Sequence, residues 1–232
     1  MTATDDLALL TTPALADACM RLGVEVRSAP VGVQQLLPGT KAAGPVLPVR
    51  HAGSVDVFFE AYEQSRGGEV LVIDNEGRTD EGCIGDLTVI EAREAGLKGV
   101  VVWGCHRDTD ELLALGLPVF SYGRFPLGPR EARRRPDDAL TSAIFGSFTV
   151  TAEDAVLADA DGALFVPLNR LEELVETGRT ISERERAQAN QAQHGVSLRG
   201  QMRFADYLSR RARDPSYTFR QHLREVGSEI EE

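Results

Sequence analysis

The chain has 232 residues, of which 42% are hydrophobic, and this composition supports a substantial buried core and excludes a chain that is disordered throughout. Its formal net charge is −11, with 14 Lys and Arg against 25 Asp and Glu in residues 1–169, and 11 against 11 from Arg170 onward. An acidic body repels phosphate backbones, so we expect no general nucleic-acid binding.

The cysteines and the first residues bear on the compartment. Cys19, Cys83 and Cys105 show no CxxC spacing, which disfavours a disulfide framework or a thiolate zinc site and favours a reducing environment. Asp5 and Asp6 stand where a secretory signal carries basic residues, and no stretch approaches the roughly 20 apolar residues of a membrane helix. We therefore expect a soluble, cytoplasmic protein without membrane contact.

The first 64 residues predict two helices around a turn-rich segment. Thr11-Thr12-Pro13 begins an amphipathic helix that Gly23 ends. Residues 30–49 are rich in Gly and Pro with short apolar runs, which is typical of turns and short strands. Residues 54–64 predict a second helix, ended by Gly67-Gly68.

The middle of the chain alternates apolar strands with helices. Continuous apolar strands that alternate with helices indicate parallel strands covered on both faces, here a βαβαβ core. The predicted elements are strand 69–74, helix 86–95, strand 99–103, helix 108–115 and strand 118–121.

The rest of the chain is less regular. Residues 122–143 predict an irregular loop, whose arginines Arg130, Arg133, Arg134 and Arg135 indicate either a solvated surface or a local anion or partner contact. Short strands follow at 144–150, 156–159 and 163–166, with a hairpin turn at Asp161-Gly162. Residues 168–213 predict helices, and from Asp214 we expect a loosely held arm.

Charged residues collect at both ends of the segment GDLTVIEAREAGLKGVVVWGCHRDTDE, residues 85–111. Asp86 begins the first helix of the core, and Arg107 and Asp108 follow the apolar strand. Ligands bind beyond the carboxyl ends of parallel strands, so both groups belong at a ligand-binding edge. Two carboxylates attract a hard divalent cation, and an arginine beside them stabilises an anionic oxygen. This set favours metal-assisted enolate formation from a keto acid.

The helix start beside Asp86 adds a seat for an anion. The backbone N–H groups near Gly85, Asp86, Leu87 and Thr88 lack helical partners and can receive a carboxylate or a phosphate. An anionic substrate is the ligand that this position favours.

Structural interpretations of the same residues stay open at this point. Asp86 and Asp108 can each be a helix N-cap, with Glu111 completing a capping box at Asp108. Arg107 can be a structural ion-pair partner. His106 can be a packed, hydrogen-bonded histidine or an acid–base group.

The sequence resembles the RraA-like family, which includes 4-hydroxy-4-methyl-2-oxoglutarate aldolases with oxaloacetate decarboxylase activity. The resemblance covers roughly residues 10–185. It lies in TPALADACMRLGV, LLPGTKAAGPV, GEVLVID, GDLTVIEAREAGLKGVVVWGCHRD and DAVLADADGALFVP. The family's metal-site signature is an Asp, twenty residues, then Arg-Asp, and it is matched by Asp86, Arg107 and Asp108.

The resemblance implies a role for each residue of the motif. Asp108 would approach Mg²⁺ or Mn²⁺ most directly, and Asp86 would hold it partly through water. Arg107 would meet the keto oxygen, and the amides from Gly85 to Thr88 would receive the pyruvyl carboxylate. The implied activity is that of a lyase, a class II metal-dependent aldolase or oxaloacetate decarboxylase acting on a small oxo acid. The alternative is a non-catalytic regulatory binding protein of the same family.

The resemblance also implies a layered α/β/β fold of the swivelling-domain type, as a homotrimer or homohexamer. We expect this α/β domain to span residues 1–185 and a C-terminal helical extension to span 186–232. The chain departs from the family pattern at His106, in the loop FPLGPREARRRPDDAL and in its tail from about residue 196. These departures lie where substrate selectivity can be set.

Overall fold

A computed structural model of the protein describes residues 3–227. The chain divides into two compact units, Met1–Glu176 and Thr177–Glu232. The predicted boundary between residues 185 and 186 stays a prediction. The helices are α1 (Ala3–Leu7), α2 (Thr12–Leu22), α3 (Asp56–Gln64), α4 (Asp86–Glu94), α5 (Thr109–Leu115), α6 (Leu171–Gln193), α7 (Leu198–Gln201), α8 (Phe204–Arg211) and α9 (Phe219–Val226), with a 3₁₀ turn at Leu168–Arg170. The strands are β1 (Arg27–Ser28), β2 (Gln34–Gln35), β3 (Ala42–Arg50), β4 (Val70–Ile84), β5 (Gly99–His106), β6 (Val119–Ser121), β7 (Ser142–Phe145), β8 (Phe148–Thr151), β9 (Asp154–Asp159) and β10 (Gly162–Pro167).

The first unit is built on a mixed eight-stranded sheet in the order β1-β10-β9-β3-β4-β5-β6-β2. Its centre, β3 to β6, is parallel, and α3, α4 and α5 connect these strands in turn. The flanking strands β9, β10, β1 and β2 pair antiparallel. The predicted α/β fold with a βαβαβ core is confirmed.

Two apolar clusters cover the two faces of this sheet. Alternate residues of β4 serve different clusters, because successive strand side chains point to opposite faces. Leu71 and Ile73 pack with Phe58 of α3 in one cluster. Val70 and Val72 pack in the other, which includes Phe145 of the separate β7–β8 hairpin. The result is the expected α/β/β layering.

Two strands of the core extend further than the apolar runs predict. The ladder between β4 and β5 continues past Asp74 and Trp103 to Ile84 and His106, with irregular register between these points. Residues 75–84 are mostly polar, so no apolar run marks them as strand, yet their backbone groups still pair with β5. The extension carries the ends of β4 and β5 to the two charged groups.

Other differences from the sequence predictions are local. The turn-rich segment 30–49 contains the nine-residue β3, which pairs with β9 through Ala42–Pro45 and with β4 through Val46–Arg50. The predicted strand 144–150 is two strands, because Gly146 turns the chain at φ 66° between β7 and β8. The predicted hairpin at Asp161-Gly162 joins β9 to β10.

The arginine-rich loop is fastened to the first unit by ion pairs. Arg133 Nη1 lies 2.7 Å from Glu76 Oε2, and Arg135 Nη1 lies 2.6 Å from Glu60 Oε1 of α3. The Arg133 N–H also donates to the Ala52 carbonyl at 2.7 Å. These contacts hold the loop against the end of β3, the middle of β4 and helix α3.

The second unit ends in a small aromatic cluster rather than in a loosely held arm. Tyr207 of α8 contacts the rings of Tyr217, Phe219 and His222. Thr218 and Gln221 form a capping box that begins α9. The prediction of a loose arm from Asp214 is wrong through residue 227, and its last five residues, 228–232, lie outside the described part. No helix within residues 3–227 is long and apolar enough to cross a membrane.

Candidate active site

The ends of β4 and β5 bring the two charged groups together. The Arg107 N–H donates to the Ile84 carbonyl at 2.9 Å, which places Arg107-Asp108 beside Gly85-Asp86. A cavity of about 200 Å³ opens here. Its walls include all the residues that the sequence nominated for metal and substrate binding: Gly85, Asp86, Leu87, Thr88, Arg107 and Asp108.

Asp108 occupies the N-cap position of α5 but does not cap the helix. Its backbone is left-handed, with φ 57° and ψ 47°, and its side chain accepts no hydrogen bond from the helix start. Asp108 Oδ2 instead lies against Gly85, only 2.1 Å from where a Cβ on that glycine would stand. The expected capping box with Glu111 is therefore absent at Asp108. Its carboxylate is left available to the cavity.

Asp86 is also not an N-cap, because Gly85 takes that position and Asp86 is the first residue of α4. Asp86 Oδ1 accepts the N–H of Leu87 at 2.8 Å. The side chain is half-buried at the cavity wall. A carboxylate at a helix N-terminus is favoured by the helix dipole, so this position is compatible with a structural as well as a ligand-binding role.

Arg107 is a neighbour of both carboxylates in the cavity. Its Nε lies 3.3 Å from Asp108 Oδ2, and the two side chains are 47% and 33% exposed. Exposure at this level makes the pair a weak source of stability. Because the pair is weak and exposed, an incoming anion can compete with Asp108 for the guanidinium. Arg107 Nη1 also lies 2.7 Å from a Cβ position on Gly128, so a residue larger than glycine would crowd it.

Two of the four nominated backbone amides have partners within the protein. The Gly85 N–H donates to Thr88 Oγ1 at 3.2 Å, and the Leu87 N–H is held by Asp86. The Thr88 hydroxyl in turn donates to the Gly85 carbonyl at 2.8 Å. An anion can reach the Leu87 amide only after the Asp86 side chain turns away.

His106 faces a different cavity and is fully hydrogen-bonded. Its side chain is buried, with Nδ1 2.7 Å from Ser121 Oγ and Nε2 3.2 Å from Thr109 Oγ1. Burial, helped by Arg124, lowers its pKa below the ordinary value. Of the two interpretations of His106, the packed and hydrogen-bonded one describes the structure.

The cavity also has walls that sequence patterns did not nominate. Val55 and Phe59 supply an apolar side, and Pro129 comes from the loop after β6. The Gly82 N–H donates to the Leu127 carbonyl at 2.8 Å, which holds that loop at the cavity. The sequence had marked this loop, FPLGPREARRRPDDAL, as a departure from the family pattern, but no pattern marked Val55 or Phe59.

The donor set fits a hard divalent cation. No group of three or more His, Cys, Asp and Glu side chains arranged for a metal is present in residues 3–227. Mg²⁺, however, is commonly bound by one or two carboxylates and several waters. Asp86 and Asp108 supply such a pair, and the Asp108 carboxylate sits in a space that only a glycine at position 85 leaves open.

Comparisons with known proteins agree with this geometry at the family level. A family model described as RraA-like, Aldolase/RraA, matches residues 12–165. A Dechloromonas aromatica protein named "Putative 4-hydroxy-4-methyl-2-oxoglutarate aldolase" is 28% identical over 154 residues, which are 66% of this chain and 93% of that protein. Protein DlpA of Legionella pneumophila is 28% identical over 176 residues. That match covers 73% of this chain but 28% of DlpA, so the chain spans little more than a quarter of that relative.

One solved structure has the same fold as this chain over most of the length of both chains. Streptomyces coelicolor RraAS2, described as an unusual member of the RNase ES inhibitor RraA protein family, matches with a TM-score of 0.71 at 25% identity. The match covers 81% of this chain and 96% of that one. The family model spans the whole βαβαβ core and the cavity with Asp86, Arg107 and Asp108, and the chain belongs to the RraA-like, Aldolase/RraA family.

Proposed function

We propose that this protein is a divalent-metal-dependent carbon–carbon lyase that cleaves or decarboxylates a small oxo acid through the enolate of pyruvate. The observation that carries the proposal is the Asp108 carboxylate, which leaves its helix uncapped and lies against Gly85 beside Arg107. The aldolase name of the Dechloromonas aromatica relative supports the same reaction class.

Asp86 and Asp108 would hold Mg²⁺ or Mn²⁺. The bound cation would polarise the keto group of the substrate and lower the energy of the enolate. Arg107 supplies a second positive charge for the keto oxygen, where negative charge grows as the carbon–carbon bond breaks. The amides at the start of α4 would receive the substrate carboxylate once Asp86 releases Leu87.

In oxaloacetate the C3–C4 bond breaks, and its electron pair becomes the C2–C3 double bond of the enolate while CO₂ leaves. A proton from water then adds to C3 and gives pyruvate. His106 does not line this cavity and its two ring nitrogens have partners, so we assign the proton to water.

The test is oxaloacetate loss, followed by absorbance with Mg²⁺ or Mn²⁺ and with EDTA, after subtraction of a protein-free blank at each metal concentration. We expect turnover that EDTA abolishes and that Asp108→Ala lowers to the blank. Asp110→Ala is the matched control, because Asp110 is exposed in the same helical turn and does not line the cavity.

Asp108→Ala is expected to lower the free energy of unfolding by no more than about 2 kcal/mol, because alanine tolerates the left-handed angles of this position less well than aspartate does. A lost N-cap costs about 1 kcal/mol, and Asp108 makes no cap hydrogen bond to lose. Turnover that persists in EDTA or in Asp108→Ala would refute the metal role. Complete inactivity of the parent protein toward oxaloacetate and 4-hydroxy-2-oxo acids would favour the alternative of a regulatory binding protein, the function named for the RraAS2 family.

A further inference from the structure

We propose that a small carboxylate binds in a second cavity, which lies beside Arg124 and has no lining residue in common with the candidate active site. This cavity measures about 210 Å³, the volume of about seven waters at about 30 Å³ each. It lies at the carboxyl end of β6, and residues 106–109 separate it from the first cavity. His106 and Thr109 line the second cavity, whereas Arg107 and Asp108 line the first.

Arg124 is an exposed cation without a carboxylate partner among residues 3–227. The other lining residues bring no acidic side chain. Most arginines that border cavities or loops of the first unit are paired, as Arg50 is with Asp74 and Arg133 with Glu76. An unpaired guanidinium at a polar cavity without acidic lining residues favours an anionic ligand.

Thr109 offers a hydroxyl donor for that anion. Ser121 Oγ accepts the Gly123 N–H at 3.0 Å and lies 2.7 Å from His106 Nδ1. Thr109 Oγ1 lies 3.2 Å from His106 Nε2. In the tautomer that carries its proton on Nε2, His106 donates to Thr109 Oγ1, and the Thr109 hydroxyl proton is left for the ligand.

Gln35 adds no contact for the ligand, although it lines the cavity. Its Oε1 makes no hydrogen bond, but the atom is buried and therefore closed to the cavity. Arg124 and Thr109 together describe a site for a small carboxylate.

Trp103 is a built-in reporter for this site. It is the only tryptophan of the chain, and its Nε1–H donates to the hydroxyl of Tyr122 at 3.0 Å. Tyr122 lines the second cavity, whereas neither residue lines the first. A ligand in the second cavity is therefore expected to change the tryptophan fluorescence.

The experiment titrates the full chain with L-malate in EDTA, read by tryptophan fluorescence and by calorimetry, so that metal-dependent binding does not contribute. We expect saturable binding with a Kd at or below about 1 mM. Arg124→Gln is expected to weaken it at least about tenfold, because the charge-assisted hydrogen bonds are lost. Arg66→Gln, at another exposed arginine, and Arg107→Gln, in the first cavity, are expected to leave the Kd within about twofold.

Two results would overturn the proposal: no saturable signal with malate in either readout, or equal affinity in Arg124→Gln. Loss of binding in Arg107→Gln would place the ligand in the first cavity instead and would also overturn it. Inorganic phosphate serves as the competing anion, and binding of phosphate without binding of malate would contradict the carboxylate assignment. None of these results depends on oxaloacetate turnover, so this site and the proposed function fail independently.

Discussion

Alanine at position 85 would test whether the Asp108 carboxylate must lie where the structure has it. A Cβ on Gly85 would stand 2.1 Å from Asp108 Oδ2 and 3.2 Å from its Cγ. Nonbonded atoms prefer separations of about 3.5 Å, so Oδ2 would have to move by about 1 Å or more. The Gly85 backbone is extended, with φ −149°, so alanine itself meets no conformational obstacle.

This displacement is expected to change the stability of the fold little and to impair metal binding at the proposed site. The Asp108 side chain is 33% exposed and can swing into solvent, so we expect the free energy of unfolding to change by less than about 1 kcal/mol. A metal ligand displaced by 1 Å no longer reaches the short oxygen distances that Mg²⁺ requires. Misplacement of this size can reduce turnover by about 10². We therefore expect Gly85→Ala to lower kcat for oxaloacetate at least about tenfold.

The assay pairs steady-state decarboxylation with Mn²⁺ binding measured by electron paramagnetic resonance. Gly200→Ala is the matched control, because its Cβ would meet only the Ser197 hydroxyl, at an ordinary 3.4 Å. A Gly85→Ala protein with kcat within about twofold of the parent and unchanged Mn²⁺ affinity would refute the reasoning.

Three further predictions concern Arg107, pH and assembly. Arg107→Lys keeps the charge but loses the planar fork, so we expect kcat to fall at least about tenfold with Mn²⁺ still bound, and a kcat within about twofold would defeat the role of Arg107. Burial lowers the pKa of His51, against the opposing effects of Asn75 and Glu81, so protonation of His51 disfavours the folded state. The free energy of unfolding is therefore highest above about pH 6.5 and falls as the pH drops below that value. His51→Gln should flatten this fall between pH 7 and 5 by at most about 1.4 kcal/mol per pH unit in chemical denaturation, and an unchanged fall in this variant would contradict the role of His51. We expect light scattering to show a trimer or a pair of trimers, and a stable 25.2 kDa monomer at working concentration would contradict this.

The core was predictable because its elements follow simple periodicities. Buried parallel strands are continuous apolar runs, and the glycines at 96 and 116 end the helices between them. Those rules place β4, α4, β5, α5 and β6 in order, and with them the two charged groups at one edge of the sheet. The meeting of Gly85-Asp86 with Arg107-Asp108 depends in addition on the extension of β4 to Ile84 alongside β5, which the sequence did not predict.

The remaining features depend on contacts that no local pattern carries. Residues 75–84 join β4 through backbone pairing with β5, so their side chains give no strand signal. Residues 219–226 form a helix with few apolar groups, of which Leu223 is buried and Phe219 packs against Phe204, 15 residues earlier in the sequence. The second cavity joins β2 to the ends of β5 and β6, and Gln34 lies 72 positions before His106 and 87 before Ser121.

The conformation of Asp108 is the clearest local conflict in the first unit. An aspartate before a helix ordinarily adopts extended angles and caps the first turn, which stabilises the helix by about 1 kcal/mol. Asp108 adopts left-handed angles instead and makes no cap bond, so the helix forgoes that stabilisation and the backbone takes on strain. Asparagine or glycine would tolerate these angles better but would bring no negative charge. Helix stability alone does not explain a charged residue with these backbone angles. Binding of a cation does explain it, because the Asp108 carboxylate lies against Gly85 and beside Arg107.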